Sequence, residues 1–390
     1  MFKLLLSTAF GLSYSVLGST KPIYSANEAL KPLATAGNCE TEATTLHLSS
    51  PPFENYFYSD CNAASQLVIT SPLPNSNLDI IKPRVLVAWP AGNSGIVVYF
   101  KSRNPSDGVL ELQLVNSTGS PLLPVYQEES ASENPTVGIS VILEFNKPAT
   151  LSIAVLGSIR TMRDYVEGGG SLQPEIQNAI RYSKIDHGVE IGRVWLDGVT
   201  KSTVSLTSTD HEVELNDQII QLQAGKYVFN ASFNYPQLIQ LNSSSVLSPG
   251  AADLISKNPL QTASLSFLSY TTKLTAGAWR FLTYFGRDTM IAALLLQPVL
   301  SEGEGGAIEA VLSGVLERIN IDGSACHEEI IGDYATWLNL KNNVNSSAAL
   351  CDYKMVGQII TRKTLLKGLL RLIPISSCQL SWRDILSPVL

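Results

Sequence analysis

Val85-Leu86-Val87-Ala88-Trp89-Pro90-Ala91-Gly92-Asn93-Ser94-Gly95-Ile96-Val97-Val98-Tyr99-Phe100 is the stretch that says most about the fold. Two five-residue apolar runs, rich in valine and ending in aromatic side chains, flank a segment of Pro, Gly, Asn and Ser. β-Branched and aromatic residues pack well on a pleated surface, whereas Pro, Gly and Asn supply the backbone angles of turns. The stretch therefore predicts a strand, a turn and a strand.

Working outward, Leu110-Glu111-Leu112-Gln113-Leu114 alternates strictly, as a half-buried strand does. Further strands are expected at 139–145, 150–155, 203–206, 219–222 and 226–234. Short strands at regular spacing with turn signals between them point to a β-sandwich-like domain over residues 19–240. Residues 159–166 and 173–182 interrupt it as helices around the Gly168-Gly169-Gly170 break. After Ser248 the apolar period changes. Helices are expected at 249–256, 261–274, 287–297 and 302–319, the third strongly apolar and buried, the fourth with Glu302 and Glu304 near its start. The fold class is thus multidomain, β then α, with the boundary near residues 240–250.

Composition narrows the function. The chain has 390 residues, 45% hydrophobic and 16% charged, with a net charge of −7. That is enough apolar material for real cores, which excludes intrinsic disorder, and too acidic for a general nucleic-acid binder. Lys3 and the apolar run 4–17, with a small-residue cut ahead of Ser19, fit a signal peptide over residues 1–18. No stretch reaches membrane-spanning length, so a secreted, extracellular protein is expected. Four Asn-x-Ser/Thr sequons, at Asn116, Asn230, Asn242 and Asn345, agree with that route. Cys39 and Cys61 are expected to close a short loop; Cys326 and Cys351 form a second bridge or stay buried thiols, leaving Cys378 odd. No metal site or cofactor is expected. There is no Cys-x-x-Cys, the four histidines are scattered, and His327-Glu328 lacks a second His because position 331 is Ile. Gly303-Glu304-Gly305-Gly306 follows no strand, which argues against a nucleotide site.

Residues 356–390 differ from the rest. Five basic residues stand against Asp384, a formal +4, so residues 1–355 carry −11 of the total −7. Residues 359–373 have the pattern of a basic amphipathic helix, and the segment reads as an unrelated basic tail.

What remains for chemistry is a group of carboxylates among aromatics. Residues 278–289 place Arg280, Arg287 and Asp288 beside Trp279, Phe281, Tyr284 and Phe285. Rings that cover an apolar sugar face, with planar groups for its hydroxyls, suit carbohydrate recognition. An Arg–Asp ion pair that merely opens the helix fits the same residues. Glu328, Glu329 and Asp333 add carboxylates downstream, and two carboxylates flanking a bond are the minimal kit for glycoside hydrolysis.

Phe285-Gly286-Arg287-Asp288-Thr289-Met290-Ile291 resembles the signature of the amylo-α-1,6-glucosidase domain of glycogen debranching enzymes. More broadly it is similar to six-hairpin, (α/α)6-toroid glycosidases. The stretch 283–355, with His327-Glu328-Glu329-Ile330-Ile331-Gly332-Asp333-Tyr334 and Asp352-Tyr353-Lys354-Met355, resembles a secreted fungal branch of that group. The resemblance implies an oligosaccharide or polysaccharide partner and an inverting mechanism on α-linked glucosides. Arg287 and Asp288 would bind hydroxyls of a terminal glucose, Trp279 and Tyr284 would shape the pocket, and Glu328, Glu329 and Asp333 would lie near its mouth. It implies a partial toroid over residues 245–355, because residues 249–355 have room for about five helices where about twelve are needed. The general acid and base stay unidentified. A catalytically incomplete glycosidase is therefore expected; the alternative is a non-catalytic carbohydrate-binding or cell-surface interaction protein built on the β-sandwich.

Overall fold

The computed structural model describes residues 43–115, 122–129, 133–168, 170–320 and 323–353. The expected signal peptide, Cys39, Asn116, Cys378 and the basic tail lie outside the described residues.

Strands β1 (Thr44–Ser50), β2 (Phe53–Ser59), β3 (Ala64–Thr70), β4 (Arg84–Trp89) and β5 (Ser94–Ser102) follow one another as antiparallel neighbours. The chain then lays down β6 (Leu112–Val115), β7 (Leu123–Gln127) and β8 (Thr136–Phe145) in a second sheet. β9 (Ala149–Ser158) returns to pair with β5, and helices α1 (Ile159–Gly168) and α2 (Pro174–Gln177) follow. β10 (Arg181–Ile185), β11 (Gly188–Val194) and β12 (Lys201–Thr207) join the second sheet. β13 (Glu214–Asn216) and β14 (Ile219–Leu222) edge the first, and β15 (Gly225–Phe233) closes the second. The eight-stranded sheet runs β1-β2-β3-β4-β5-β9-β14-β13; the other runs β10-β11-β12-β15-β8-β6, with β7 also on β8.

The two sheets share one core. Val85, Val87 and Trp89 of β4 with Ile96 and Val98 of β5 meet Ile139, Val141 and Leu143 of β8 and Phe229 and Phe233 of β15. Trp89 stacks on Phe233 at 4.4 Å. The other face of the same strands is covered too: Leu86, Ala88, Val97 and Tyr99 pack with Ile159 and Met162 of α1 and with Phe267, Trp279 and Leu282. A strand buried on both faces needs apolar side chains at every position, which is why β4 and β5 are continuous apolar runs. Each such side chain stabilises the fold by about 1.5–3 kcal/mol.

The helical region is made of short pieces: α3 (Ser243–Val246), α4 (Leu254–Lys257), α5 (Pro259–Leu268), α6 (Gly286–Leu296), α7 (Ala307–Leu316) and α8 (Gly332–Lys341). Several expectations need correction. The helix expected at 173–182 is the single turn of α2, because residues 181–185 pair with β11 instead. The one at 249–256 splits into a 3-10 turn, Pro249–Ala251, and α4. The one at 261–274 stops at Leu268, since Tyr270 and Leu274 enter two different cores through the paired β16 (Ser269–Tyr270) and β17 (Lys273–Leu274). α7 starts at Ala307, not 302: Gly303 and Gly305 adopt positive φ, so Glu302 and Glu304 sit in the preceding loop and Glu309 is the acid of the first turn. α6 forms as expected but is not buried all round. Only Gly286, Thr289 and Ala293 are buried, while Ile291, Leu294 and Leu295 are 49%, 42% and 75% exposed. These three share a helix face with Arg287 at spacings of four, seven and eight, so one side of α6 packs inward and the other presents an apolar stripe.

Candidate functional site

The site begins where α6 begins. Gly286 is its first residue, and a Cβ there would lie 2.5 Å from the carbonyl oxygen of Cys326. Glycine lets the 326–328 segment run directly against the helix start, where Phe285 and Glu328 form a β-bridge. The adjoining β18 (Glu328–Ile330) pairs with β19 (Leu350–Asp352), and the Cys326–Cys351 disulfide ties the two segments.

Arg287 and Asp288 lie at the surface, 54% and 42% exposed, with Arg287 Nη2 3.4 Å from Asp288 Oδ2. An exposed pair of this kind is worth only about 0–1 kcal/mol, so both groups can bind something else at little cost. Phe281 is 44% exposed, with the Arg163 guanidinium 5.3 Å from its ring; it is edge-on to Phe285 at 5.6 Å, and Phe285 is in turn edge-on to His327 at 5.7 Å.

The aromatic residues Trp279 and Tyr284 are buried and, among the described residues, line no open pocket face beside Arg287. Trp279 is buried against the first sheet, its backbone N–H donating to Gln66 Oε1 at 2.7 Å and its ring lying 4.5 Å from the Arg280 guanidinium. Tyr284 is fully buried, and burial pushes its phenol well above the ordinary range. Arg318 sits 5.0 Å from its ring.

The three downstream carboxylates are all neutralised. Arg160 of α1 donates to Glu328 Oε2 at 2.8 Å, with Arg163 3.8 Å from Oε1. Glu329 accepts from Lys273 at 2.5 Å and from Arg318 at 2.6 and 3.0 Å. Burial alone would raise the Glu329 carboxyl, but Lys273 and Arg318 together hold it below its ordinary value. Asp333, wholly enclosed, accepts from Arg193 at 2.6 and 3.1 Å and from the backbone N–H of Leu196 at 2.9 Å. Gly332 beside it has φ +65, and a Cβ would stand 2.3 Å from the carbonyl oxygen of Gly92, so the start of α8 rests on the β4–β5 turn. A general acid must hold a proton at working pH. Glu329 is biased the other way, and Asp333 is out of a substrate's reach.

Residues 284–288 and 328–329 are therefore neighbours, but as a structural junction from which only Arg287 and Asp288 face outward. Sequence reasoning missed the cations of this junction: Arg160, Arg163, Arg193, Lys273 and Arg318. Nothing local marks Arg160 or Arg193, because Arg160–Glu328 and Arg193–Asp333 are 168 and 140 residues apart.

Of the described sequons, Asn345 lies exposed after α8, and Asn242 is an exposed helix cap accepting from the Ser245 N–H at 2.9 Å. Asn230 sits inside β15, its Nδ2 donating to Ser205 Oγ at 3.1 Å and its Oδ1 buried. Expressed through a secretory pathway, the chain should carry glycans at Asn242 and Asn345 and none at Asn230; peptide mass spectrometry reads this directly. Cys61 is disulfide-bonded. Among the described residues no group of three or more His, Cys, Asp or Glu could hold a metal ion, and no helix is long and apolar enough to cross a membrane. Compared with known proteins, the chain matches no family model, no curated protein and no solved structure.

Proposed function

We propose that this chain is a secreted carbohydrate-active protein of the debranching-glucosidase type that binds α-linked glucosides and does not cleave them. The observation that carries the reading is the contrast within one junction. Arg287 and Asp288 are exposed, while Glu329 and Asp333 are consumed by buried ion pairs and Glu328 by a half-buried pair with Arg160. Hydroxyl recognition needs a free guanidinium and carboxylate, whereas inverting hydrolysis needs an acid and a base about 6.5–9.5 Å apart around a water. The apolar stripe of Ile291, Leu294 and Leu295 supports an incomplete (α/α)6 toroid, since neighbouring hairpins would cover such a face. The same neutralised carboxylates favour a non-catalytic binding role over a slow hydrolase.

The test is retention of the full chain on immobilised α-glucan and titration with malto-oligosaccharides. Arg287→Ala should weaken binding about tenfold or more, the loss of one charge-assisted contact, without lowering the unfolding midpoint. Equal retention of parent and variant would remove Arg287 from the site, and glucose release above a denatured control would refute the inactivity.

A further inference from the structure

A cavity remote in sequence from α6 lies where β5 pairs with β9. It encloses about 390 Å³, within the size range of small-ligand sites. Its walls are apolar: Tyr99 and Phe100 of β5, Ile153 of β9, Leu110, and Tyr165 of α1, whose ring stands edge-on to Tyr99 at 5.7 Å.

The pairing of the two strands slips here. Tyr99 opposes Ile153 but Phe100 opposes Leu151, leaving Ser152 as an extra residue. A β-bulge of this kind bends the strand and re-aims the side chains around it, and such bulges recur beside binding sites. The Ser152 hydroxyl donates to the Tyr99 carbonyl oxygen at 3.2 Å, which fixes the bulge.

Charge at the mouth is one-sided. Lys82 and Lys101 line it, and among the described residues neither is in an ion pair and no carboxylate lines the cavity. An apolar interior with an uncompensated cationic rim complements a molecule with an apolar body and a single anionic head. Neutral apolar molecules gain nothing from the lysines, and cations are repelled by them. The geometry points to a binding site for an apolar monocarboxylate, its chain or ring between Tyr99, Ile153 and Tyr165 and its carboxylate at Lys82 and Lys101. This site is independent of the carbohydrate reading.

The experiment is calorimetric titration of the full chain with decanoate, decanol and decylamine. Decanoate should bind saturably at one site, at least tenfold tighter than decanol, with decylamine weaker still. Lys82→Gln combined with Lys101→Gln should cut decanoate affinity about tenfold and leave decanol unchanged. Ser152→Trp, which fills the mouth from an exposed strand position, should abolish both. The proposal is overturned by no saturable decanoate binding, by equal affinity for decanoate and decanol, or by binding that survives Ser152→Trp in protein with the parental unfolding midpoint.

Discussion

An Arg193→Met variant unfolds with about 3–5 kcal/mol less stability than the parent chain, the usual penalty for removing one partner of a buried ion pair. Arg193 and Asp333 both have side chains with 0% exposure, so neither can fall back on water. Methionine fills much of the vacated volume, which keeps the cavity contribution small. What remains is a carboxylate whose only described donor is the Leu196 N–H. Replacing both partners, Arg193→Met with Asp333→Leu, should recover most of the loss, because a well-packed apolar pair does as well as a buried ionic one. The recovery stops short of the parent, since the Leu196 N–H then lacks its acceptor, which costs about 1–3 kcal/mol. Urea denaturation of the three proteins measures all of this. A single variant that loses under about 1 kcal/mol would contradict the assignment of this pair as the tie between α8 and the sheets.

Glu329→Gln should cost about 3 kcal/mol at neutral pH, at the lower end of the same range. It strips the counter-charge from Lys273 and Arg318, but burial already pulls the Lys273 ammonium below the ordinary lysine value, so that group can shed its proton. The acid dependence is more diagnostic than the magnitude. The folded carboxyl of Glu329 titrates below its ordinary value of 4.5, held there against burial by Lys273 and Arg318. Its contribution is therefore complete above about pH 4.5 and is lost as pH falls through the lower, folded value. The parent should lose stability more steeply than the variant on acidification, and their curves should converge once Glu329 is protonated. Parallel curves from pH 7 to 3 would show that Glu329 carries no such linkage.

The two predictions concern residues that the sequence marks only in part. β4 and β5 are legible because burial on both faces leaves no polar position within 85–89 and 96–100 to obscure the run. β14 is legible at its full extent, and α1 at its start. β1 is not: Leu46 is its one buried residue, and an edge strand with six non-buried positions has no apolar period to detect. The helix of α6 is visible in its composition, but its exposed stripe is not, because periodicity cannot report which neighbours are present. The carboxylates of the candidate site are visible as residue types. Their roles are decided by cations that fold topology delivers from β11, α1 and β17, and no spacing rule spans those separations.

The Cys326–Cys351 link closes a covalent ring of sequence separation 25 around β18 and α8. Within that ring the exposed 342–349 loop is the segment open to attack. A single backbone cut there leaves the Cys351 segment joined to the molecule through the cystine, while α8 stays on its own N-terminal connection with Asp333 still seated on Arg193. Chain cleavage and loss of the segment beyond it are thereby uncoupled: a nicked protein keeps its mass and its junction until a reductant opens the ring.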